Sequence, residues 1–213
     1  MILAYNTSLA DLHIGLFSDG AEPLAEYHHI ASSDDLGIHD ALLAQKTSQL
    51  LKEISASAKD ISTITFINGP GSFTGLRIGL AFAKGMAFGS GASLIPLLAH
   101  EVLLKVYETR NPIPDTPIPI FYPGYEKDSV YMSLSSSPEK IEYIKIDELL
   151  KMNLSEVICT SELSTIPIPH HIVSIELQTM AEMSIAGSRW SMAGNTLADL
   201  EPFYGTDFKT NEK

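Results

Sequence analysis

The chain has 213 residues, of which 45% are hydrophobic and 19% are charged, a composition that supports a packed core and argues against intrinsic disorder. Its 26 acidic and 14 basic residues give a net charge of −12, which makes the chain a poor RNA binder on its own, since basic side chains usually carry the phosphate contacts. The one cysteine, Cys159, excludes an intramolecular disulfide and a cysteine-based zinc site, and we interpret it as a buried small hydrophobe.

Three short apolar segments joined by turns open the chain. Residues 2–5 form a continuous apolar run, which is typical of a buried strand, and Asn6 begins the turn that follows it. The segments 13–17 and 24–30 predict two further strands, and Ser-Asp-Gly at 18–20 is a hairpin signal between them. Together these segments predict an antiparallel start to a sheet.

Helices and strands alternate after this start. Ser33 and the aspartates behind it mark a helix start, and five side chains recur at helical spacing on one face of that helix: Leu36, His39, Leu43, Leu50 and Ile54. A strand at 62–67, a helix from 73 to about 88 and a strand at 93–97 follow. This order matches half of the actin-like, ribonuclease-H-like fold, which is an α/β architecture, and we predict a two-lobed member of that class.

A proline-rich stretch at 111–119 predicts a linker. Beyond it the sequence predicts a second, smaller α/β unit, with strands at 118–122, 129–135, 141–146, 156–160 and 172–175 and helices at 147–152 and 177–190. We therefore expect an N-terminal lobe over residues 1–110 and a C-terminal lobe over residues 111–213.

No membrane span or signal peptide is predicted. Strand-like sequence begins at Ile2 without a basic region before it. The fairly apolar stretch 75–98 is interrupted by Arg77 and Lys84, so it is too polar to cross a bilayer unaided. We expect a soluble cytoplasmic protein without membrane contact.

A glycine-rich segment, Asn-Gly-Pro-Gly-Ser-Phe-Thr-Gly-Leu-Arg-Ile-Gly at 68–79, joins the fourth predicted strand to the second predicted helix. Small residues let the backbone approach a neighbour, and N–H groups at a helix start can hold an anion. The segment is neither a Walker A loop, which needs Gly-Lys-Ser/Thr, nor a dinucleotide motif, because Gly75 comes one residue late. The alternatives are a tight turn in which Ser72 caps the helix, and an anion-binding loop formed by Gly69, Gly71, Ser72 and Thr74.

The same segment closely resembles the motif of the TsaB family, also called YeaZ, in its run Gly-Pro-Gly-Ser-Phe-Thr-Gly-Leu-Arg-Ile-Gly. The resemblance extends to the strand and turn at 2–8, to His39 and the helix that follows it, to Val130-Tyr131, and to Leu-Glu-Pro-Phe-Tyr at 200–204. Residues 1–100 match the family well, and the rest of the chain matches it in patches.

The resemblance implies an actin-like fold and a pseudo-enzyme role without catalytic residues in this chain. TsaB-like proteins pair with the related catalytic subunit TsaD and with the ATPase TsaE, and the assembly makes threonylcarbamoyladenosine next to the tRNA anticodon. We therefore expect three properties: TsaD-like and TsaE-like partners, contact with tRNA through the complex, and a homodimer as an option when TsaD is absent.

The chain departs from the family where a nucleotide site would be inherited. Actin-like kinases usually carry an Asp in the first hairpin to organise metal and phosphate, and this chain has Asn6, an amide without charge. Asn68 replaces an Arg before the glycine segment, and Gly124-Tyr125-Glu126 replaces a common Asp-Ala-Arg. We expect no cofactor to bind this chain alone, and weak ATP or ADP binding at the interface of the complex stays open.

The seven histidines predict no metal site. None is spaced as His-x-x-x-His on a helix, the metal-binding pair that the resemblance assigns to TsaD. Adjacent histidines such as His28 and His29 point to opposite faces of a strand, so they cannot share one metal ion. We interpret the histidines as surface or capping residues.

Small residues recur at every fourth position of the second helix, at Gly75, Gly79, Ala83 and Ala87. Such a row allows close approach of another element, either this chain's own sheet or a partner helix. The resemblance favours a partner, because family members associate through their first two helices, and it predicts an interface of Leu36, His39, Leu43, Gly75, Leu76, Gly79, Leu80, Ala83 and Ala87. On this hypothesis Ala83→Glu abolishes association with TsaD and leaves the monomer largely folded.

Three other functions stay as alternatives. An actin-like sugar or acetate kinase needs the hairpin carboxylate that Asn6 replaces. A glycoprotease-like peptidase needs a metal or a nucleophile, and Ser72 lies in Gly-Ser-Phe rather than in a Gly-x-Ser-x-Gly elbow. An interaction scaffold unrelated to tRNA is the third.

Overall fold

The structure, a computed structural model, describes residues 1–31, 39–112, 115–186 and 199–204, without the side chains of residues 39 and 40. These ranges contain two five-stranded sheets and five α-helices. Among them, no helix combines the length and the apolar character that crossing a membrane requires.

The first sheet has the strand order β3-β2-β1-β4-β5. Its strands are β1 (Ile2–Asn6), β2 (Leu12–Phe17), β3 (Pro23–His29), β4 (Thr63–Gly69) and β5 (Ser93–Leu98). Strand β1 is central, antiparallel to β2 and parallel to β4, and every residue of it is buried. This burial on both faces explains its unbroken apolar run, because helices cover the sheet on either side.

The second sheet has the strand order β10-β9-β6-β7-β8. Its strands are β6 (Pro119–Pro123), β7 (Ser129–Leu134), β8 (Ser137–Lys145), β9 (Val157–Cys159) and β10 (His170–Ile172). In both sheets the strands on one side of the central strand, β1 or β6, form antiparallel pairs with their neighbours. The strands on its other side form parallel pairs. The repeated topology confirms the predicted actin-like, two-lobed α/β fold.

Five helices cover the sheets: α1 (His39–Glu53), α2 (Phe73–Ser90), α3 (Ala99–Arg110), α4 (Ile146–Leu149) and α5 (Leu177–Ala186). Helices α1 and α2 pack on one face of the first sheet and form one apolar cluster with it. Helices α3 and α5 contribute to a second cluster, which contains residues of both sheets. The two sheets therefore share one core. The division into lobes of residues 1–110 and 111–213 stays a prediction.

The predicted elements differ from the structure at several places. No helix is predicted at 99–110, where α3 lies, and the strand predicted to start at 141 begins at Ser137. The last strand is placed at His170–Ile172 by its parallel pairing with β9, not at 172–175. The predicted helix start at Ser33 and the predicted end of the last helix at 190 lie outside the described residues.

Candidate functional site

The glycine-rich segment is a tight connection between β4 and α2. Gly69 and Gly71 have φ angles of +143° and +153°, which L side chains rarely adopt. A Cβ added at Gly69 would lie 1.8 Å from the carbonyl oxygen of Phe203, and one at Gly71 would lie 2.5 Å from that of Ser8. Glycine is therefore needed at these two positions because the chain's own backbone approaches the segment from both sides.

Ser72 caps the start of α2. Its side-chain oxygen accepts a hydrogen bond from the backbone N–H of Gly75 at 3.2 Å, and its own N–H donates to the carbonyl of Ser8 at 2.8 Å. This is the turn-and-cap alternative of the sequence analysis. Anion binding by Gly69, Gly71, Ser72 and Thr74 stays a prediction.

Residues 199–204 return to the glycine-rich segment and cover it. The N–H of Phe203 donates to the carbonyl of Asn68 at 2.8 Å, and the side-chain amide of Asn68 donates to the carbonyl of Glu201 at 2.9 Å. Arg77 donates to the hydroxyl of Tyr204 at 3.1 Å. The resemblance to the family includes this segment, Leu-Glu-Pro-Phe-Tyr at 200–204. Its position beside Asn68 could not be predicted from spacing along the sequence.

The row of small residues on α2 packs against β1 and the turn after it. A Cβ added at Gly75 would lie 1.9 Å from the carbonyl oxygen of Thr7, and one at Gly79 would lie 2.5 Å from the Thr7 hydroxyl. The Thr7 hydroxyl donates to the carbonyl of Gly75, and the Tyr5 hydroxyl donates to the carbonyl of Gly79. The row therefore packs against this chain's own sheet, which is one of the two alternatives predicted for it.

The residues of the predicted partner interface are buried within the chain wherever the structure describes their side chains, and their contact with a partner stays a prediction. Leu43 and all six predicted residues of α2 are buried within the chain: Gly75, Leu76, Gly79, Leu80, Ala83 and Ala87. Of the other two, Leu36 lies outside the described residues and the side chain of His39 is not described. Ala83 has 0% exposure, so Ala83→Glu would place a carboxylate in the core and is expected to destabilise the fold.

The outer face of α2 carries the side chains that are available for contact. Phe88 is 90% exposed and Phe73 is 41% exposed. Small residues also lie on the exposed side of this helix, at Ala81, Gly85 and Gly89. A Cβ added at Gly85 or Gly89 meets nothing within 4 Å, so these two glycines are not required by packing inside the chain.

A polar cluster joins the two sheets at the end of β1. The Oδ1 atom of Asn6 accepts hydrogen bonds from the N–H and the hydroxyl of Ser8, at 2.9 and 2.5 Å. The Ser8 hydroxyl lies 2.7 Å from the hydroxyl of Tyr122 on β6. Burial is the largest cause of a raised pKa of Tyr122, so its hydroxyl stays protonated.

Three ligand-type side chains meet beside Asn6. His13 and His28 are directly paired on β2 and β3, with ring centroids 3.7 Å apart, and Asp11 Oδ2 lies 3.6 Å from His28 Nε2. Burial and the neighbouring His28 lower the pKa of His13, while the carboxylate of Asp11 raises it. The spacing of the histidines along the chain predicts no metal site, whereas the structure brings these three residues together across strands.

Cys159 is a buried residue of β9 and forms no disulfide bond within the described residues. Burial raises the pKa of its thiol to about 11, with Glu162 as a second cause. The thiol is therefore protonated near neutral pH, which agrees with its interpretation as a small hydrophobe.

A family model decides the relationship of the chain. The model described as TsaD, tRNA N6-adenosine threonylcarbamoyltransferase, matches residues 38–199. The chain belongs to the TsaD family. The match covers both sheets, apart from the first three strands, and thus includes the glycine-rich segment and Tyr122 on β6.

Two curated relatives carry the TsaB name. The chain is 29% identical over 114 residues to the tRNA threonylcarbamoyladenosine biosynthesis protein TsaB of Escherichia coli, covering 51% of this chain and 47% of that protein. It is 32% identical over 59 residues to the protein of the same name from Haemophilus influenzae, covering 28% of this chain and 25% of that protein. The aligned regions thus span about half of the curated relatives' length or less.

Solved structures of YeaZ have the same fold. YeaZ from Pseudomonas aeruginosa superposes with a TM-score of 0.68 and 17% sequence identity, covering 95% of this chain and 98% of that chain. The TsaB and YeaZ names confirm the family resemblance predicted from the glycine-rich segment.

Proposed function

We propose that this member of the TsaD family is a non-catalytic subunit of the assembly that makes threonylcarbamoyladenosine in tRNA. In this role it binds a TsaD-like catalytic subunit and acts together with a TsaE-like ATPase. The family model and the biosynthesis role in the names of the TsaB relatives support the pathway. The observation that carries the partner role is the exposed apolar face of α2.

That face has the properties of a helix-docking surface. Phe88 is almost fully exposed, and burial of such an aromatic ring against a partner stabilises a complex. Ala81, Gly85 and Gly89 lie on the exposed side at every fourth position, so a partner helix can approach the α2 backbone closely there. In the absence of TsaD, a second copy of this chain is the alternative occupant.

The polar groups of the chain support a role without chemistry. Asn6 is engaged with Ser8 and carries no charge, so it does not supply the carboxylate that an actin-like kinase uses. The Cys159 thiol is buried and protonated. With a net charge of −12, the chain is expected to reach tRNA through its partners, and any ATP or ADP is expected at the interface of the complex.

The test replaces Phe88 with Asp in a chain co-expressed with a TsaD-like subunit. A carboxylate at this exposed position should leave folding intact and weaken the complex at least about tenfold, because it must be desolvated in the interface. Co-purification and size exclusion measure the complex. In cells depleted of the native chain, the same variant should fail to restore threonylcarbamoyladenosine in bulk tRNA.

The matched control is Ile172→Asp, which makes the same kind of change at a 51% exposed apolar side chain on the edge of the second sheet. This variant should keep the complex and restore the modified nucleoside. A Phe88→Asp chain that co-purifies like the wild type would exclude the outer face of α2 as the contact surface. Normal tRNA modification in fully depleted cells would exclude the proposed pathway itself.

A further inference from the structure

The cluster of Asp11, His13 and His28 is built by strand register. His13 and His28 are register partners on antiparallel strands, so their side chains project from the same face of the sheet. Asp11 lies two positions before His13, directly before β2 begins. One ligand-type atom from each of the three residues can be chosen so that all three atoms lie within 4.8 Å of one another.

The carboxylate of Asp11 is held in place by the backbone. Its Oδ1 atom accepts a hydrogen bond at 2.9 Å from the N–H of Ala31, and its Oδ2 atom lies 3.6 Å from Nε2 of His28. Carboxylates that bind metal ions are themselves hydrogen-bonded, and the N–H of Ala31 holds Oδ1 in this way while Oδ2 stays available as a ligand atom.

We propose that Asp11, His13 and His28 form a binding site for a divalent transition-metal ion, with Zn²⁺ as the best match. Two imidazoles and one carboxylate suit Zn²⁺, whereas Mg²⁺ and Ca²⁺ prefer ligand sets made of oxygen. Ligands bound about 2.1 Å from a tetrahedral ion lie roughly 3.4 Å apart, so atoms that now lie within 4.8 Å of one another need to close by up to about 1.4 Å. His28 is exposed, and a rotamer adjustment of its ring can supply this movement.

Three protein ligands leave one tetrahedral position open. Asp11 and His13 also line a small cavity of about 60 Å³, and the lining includes Glu162 from the second sheet's side of the molecule. Glu162 is close enough to His13 to interact with it electrostatically. Two of the three ligands, Asp11 and His13, thus border a space between the two sheets, where water, an anionic ligand or Glu162 can complete the coordination.

Calorimetric titration of the chelator-treated full chain with ZnCl₂ tests the site. The wild type should bind one Zn²⁺ per chain at saturation, and His13→Ala and His28→Ala should each weaken binding at least about tenfold. Co²⁺ is a second probe, and its tetrahedral absorption band should be present with the wild type and absent with His28→Ala.

The matched control is His29→Ala, which removes the adjacent histidine on the opposite face of β3 and should change the Zn²⁺ affinity less than about twofold. If His13→Ala fails to fold, the exposed His28 decides the result. No saturable Zn²⁺ binding by the wild type would overturn the proposal and leave the two rings as a stacked pair across strands. An equal loss of affinity in all three variants would overturn it too.

Discussion

At the level of single residues, the main feature is the buried imidazole of His100. His100 on α3 is fully buried, and its Nε2 atom lies 3.0 Å from the carbonyl oxygen of Tyr131 on β7. Burial lowers the pKa of His100 to about 4, against a smaller raising effect of this backbone contact. The imidazole is therefore neutral in the folded protein at neutral pH and links the last helix of the first lobe to the second sheet.

We predict that His100 makes stability depend on pH. In the unfolded chain the imidazole has its ordinary pKa of 6.5, so between pH 6.5 and about 4 the unfolded state binds a proton that the folded state does not. The free energy of unfolding should thus fall as the pH falls through this window, by up to about 3 kcal/mol in total. Urea unfolding of the wild type and of His100→Gln at a series of pH values measures this change in the free energy of unfolding.

The variant should show a flatter pH dependence between pH 4 and 6.5, although its stability at pH 7 is lower because the buried site is disturbed. Equal slopes for the wild type and His100→Gln would contradict the prediction.

Local sequence explains some functional residues and not others. Asn6 and the glycine-rich segment could be predicted because their roles depend on residue type next to a recognisable strand or helix. The grouping of Asp11, His13 and His28 could not, since it depends on which residues of β2 and β3 face each other. Register of this kind is set by the turn geometry and by the buried face of the whole sheet.

Helix α2 has two faces with opposite requirements, and this is the main feature at the level of elements. Its inner glycines contact the backbone around Thr7, and its outer glycines border open space. A pattern of small residues at every fourth position occurs on both faces, so spacing alone could not assign the partner to one of them. Burial of Ala83 and exposure of Phe88 show which face packs inside the chain and which one is exposed.

Matched substitutions on α2 should separate these two faces. Gly75→Ala places a Cβ 1.9 Å from a backbone carbonyl oxygen and should lower the free energy of unfolding by at least about 2 kcal/mol. Gly85→Ala meets nothing within 4 Å and should raise it by up to about 1 kcal/mol, because alanine has the higher helix propensity. Chemical denaturation measures both values, and a stabilising Gly75→Ala would contradict the described packing.

The missed helix α3 shows where element prediction depends on context. Its buried side chains recur at helical spacing, at Ala99, Val102, Leu103, Val106 and Tyr107, so the pattern is present in the sequence. The helix follows β5 directly, without a turn between them, and its N-cap residue, Leu98, makes no side-chain capping hydrogen bond. Because the usual polar start signal is absent, the boundary is recognisable only from the packing of the helix between both sheets.

At the scale of the whole molecule, the second half of the chain returns to the first. Helix α5 packs on β1 and β2, and residues 199–204 cover the glycine-rich segment. One apolar cluster contains Ile2 and Ala4 of the first sheet together with Ile120 of the second. The sequence predicted two units, but the way they pack depends on contacts between residues more than one hundred positions apart, which local patterns do not contain.

The hydroxyls of Ser8 and Tyr122 form a direct link between the two sheets, and we predict that they are energetically coupled. Since the Ser8 hydroxyl donates to Asn6, the Tyr122 hydroxyl donates to Ser8, across 2.7 Å in a buried site. A double-mutant cycle of Ser8→Ala and Tyr122→Phe should give a coupling energy of about 1 kcal/mol, measured by urea unfolding. Each variant should shift one common transition, because both sheets share a core and are expected to unfold together. Additive effects would show that the hydroxyls do not cooperate, and a separate second transition would show that the lobes unfold independently.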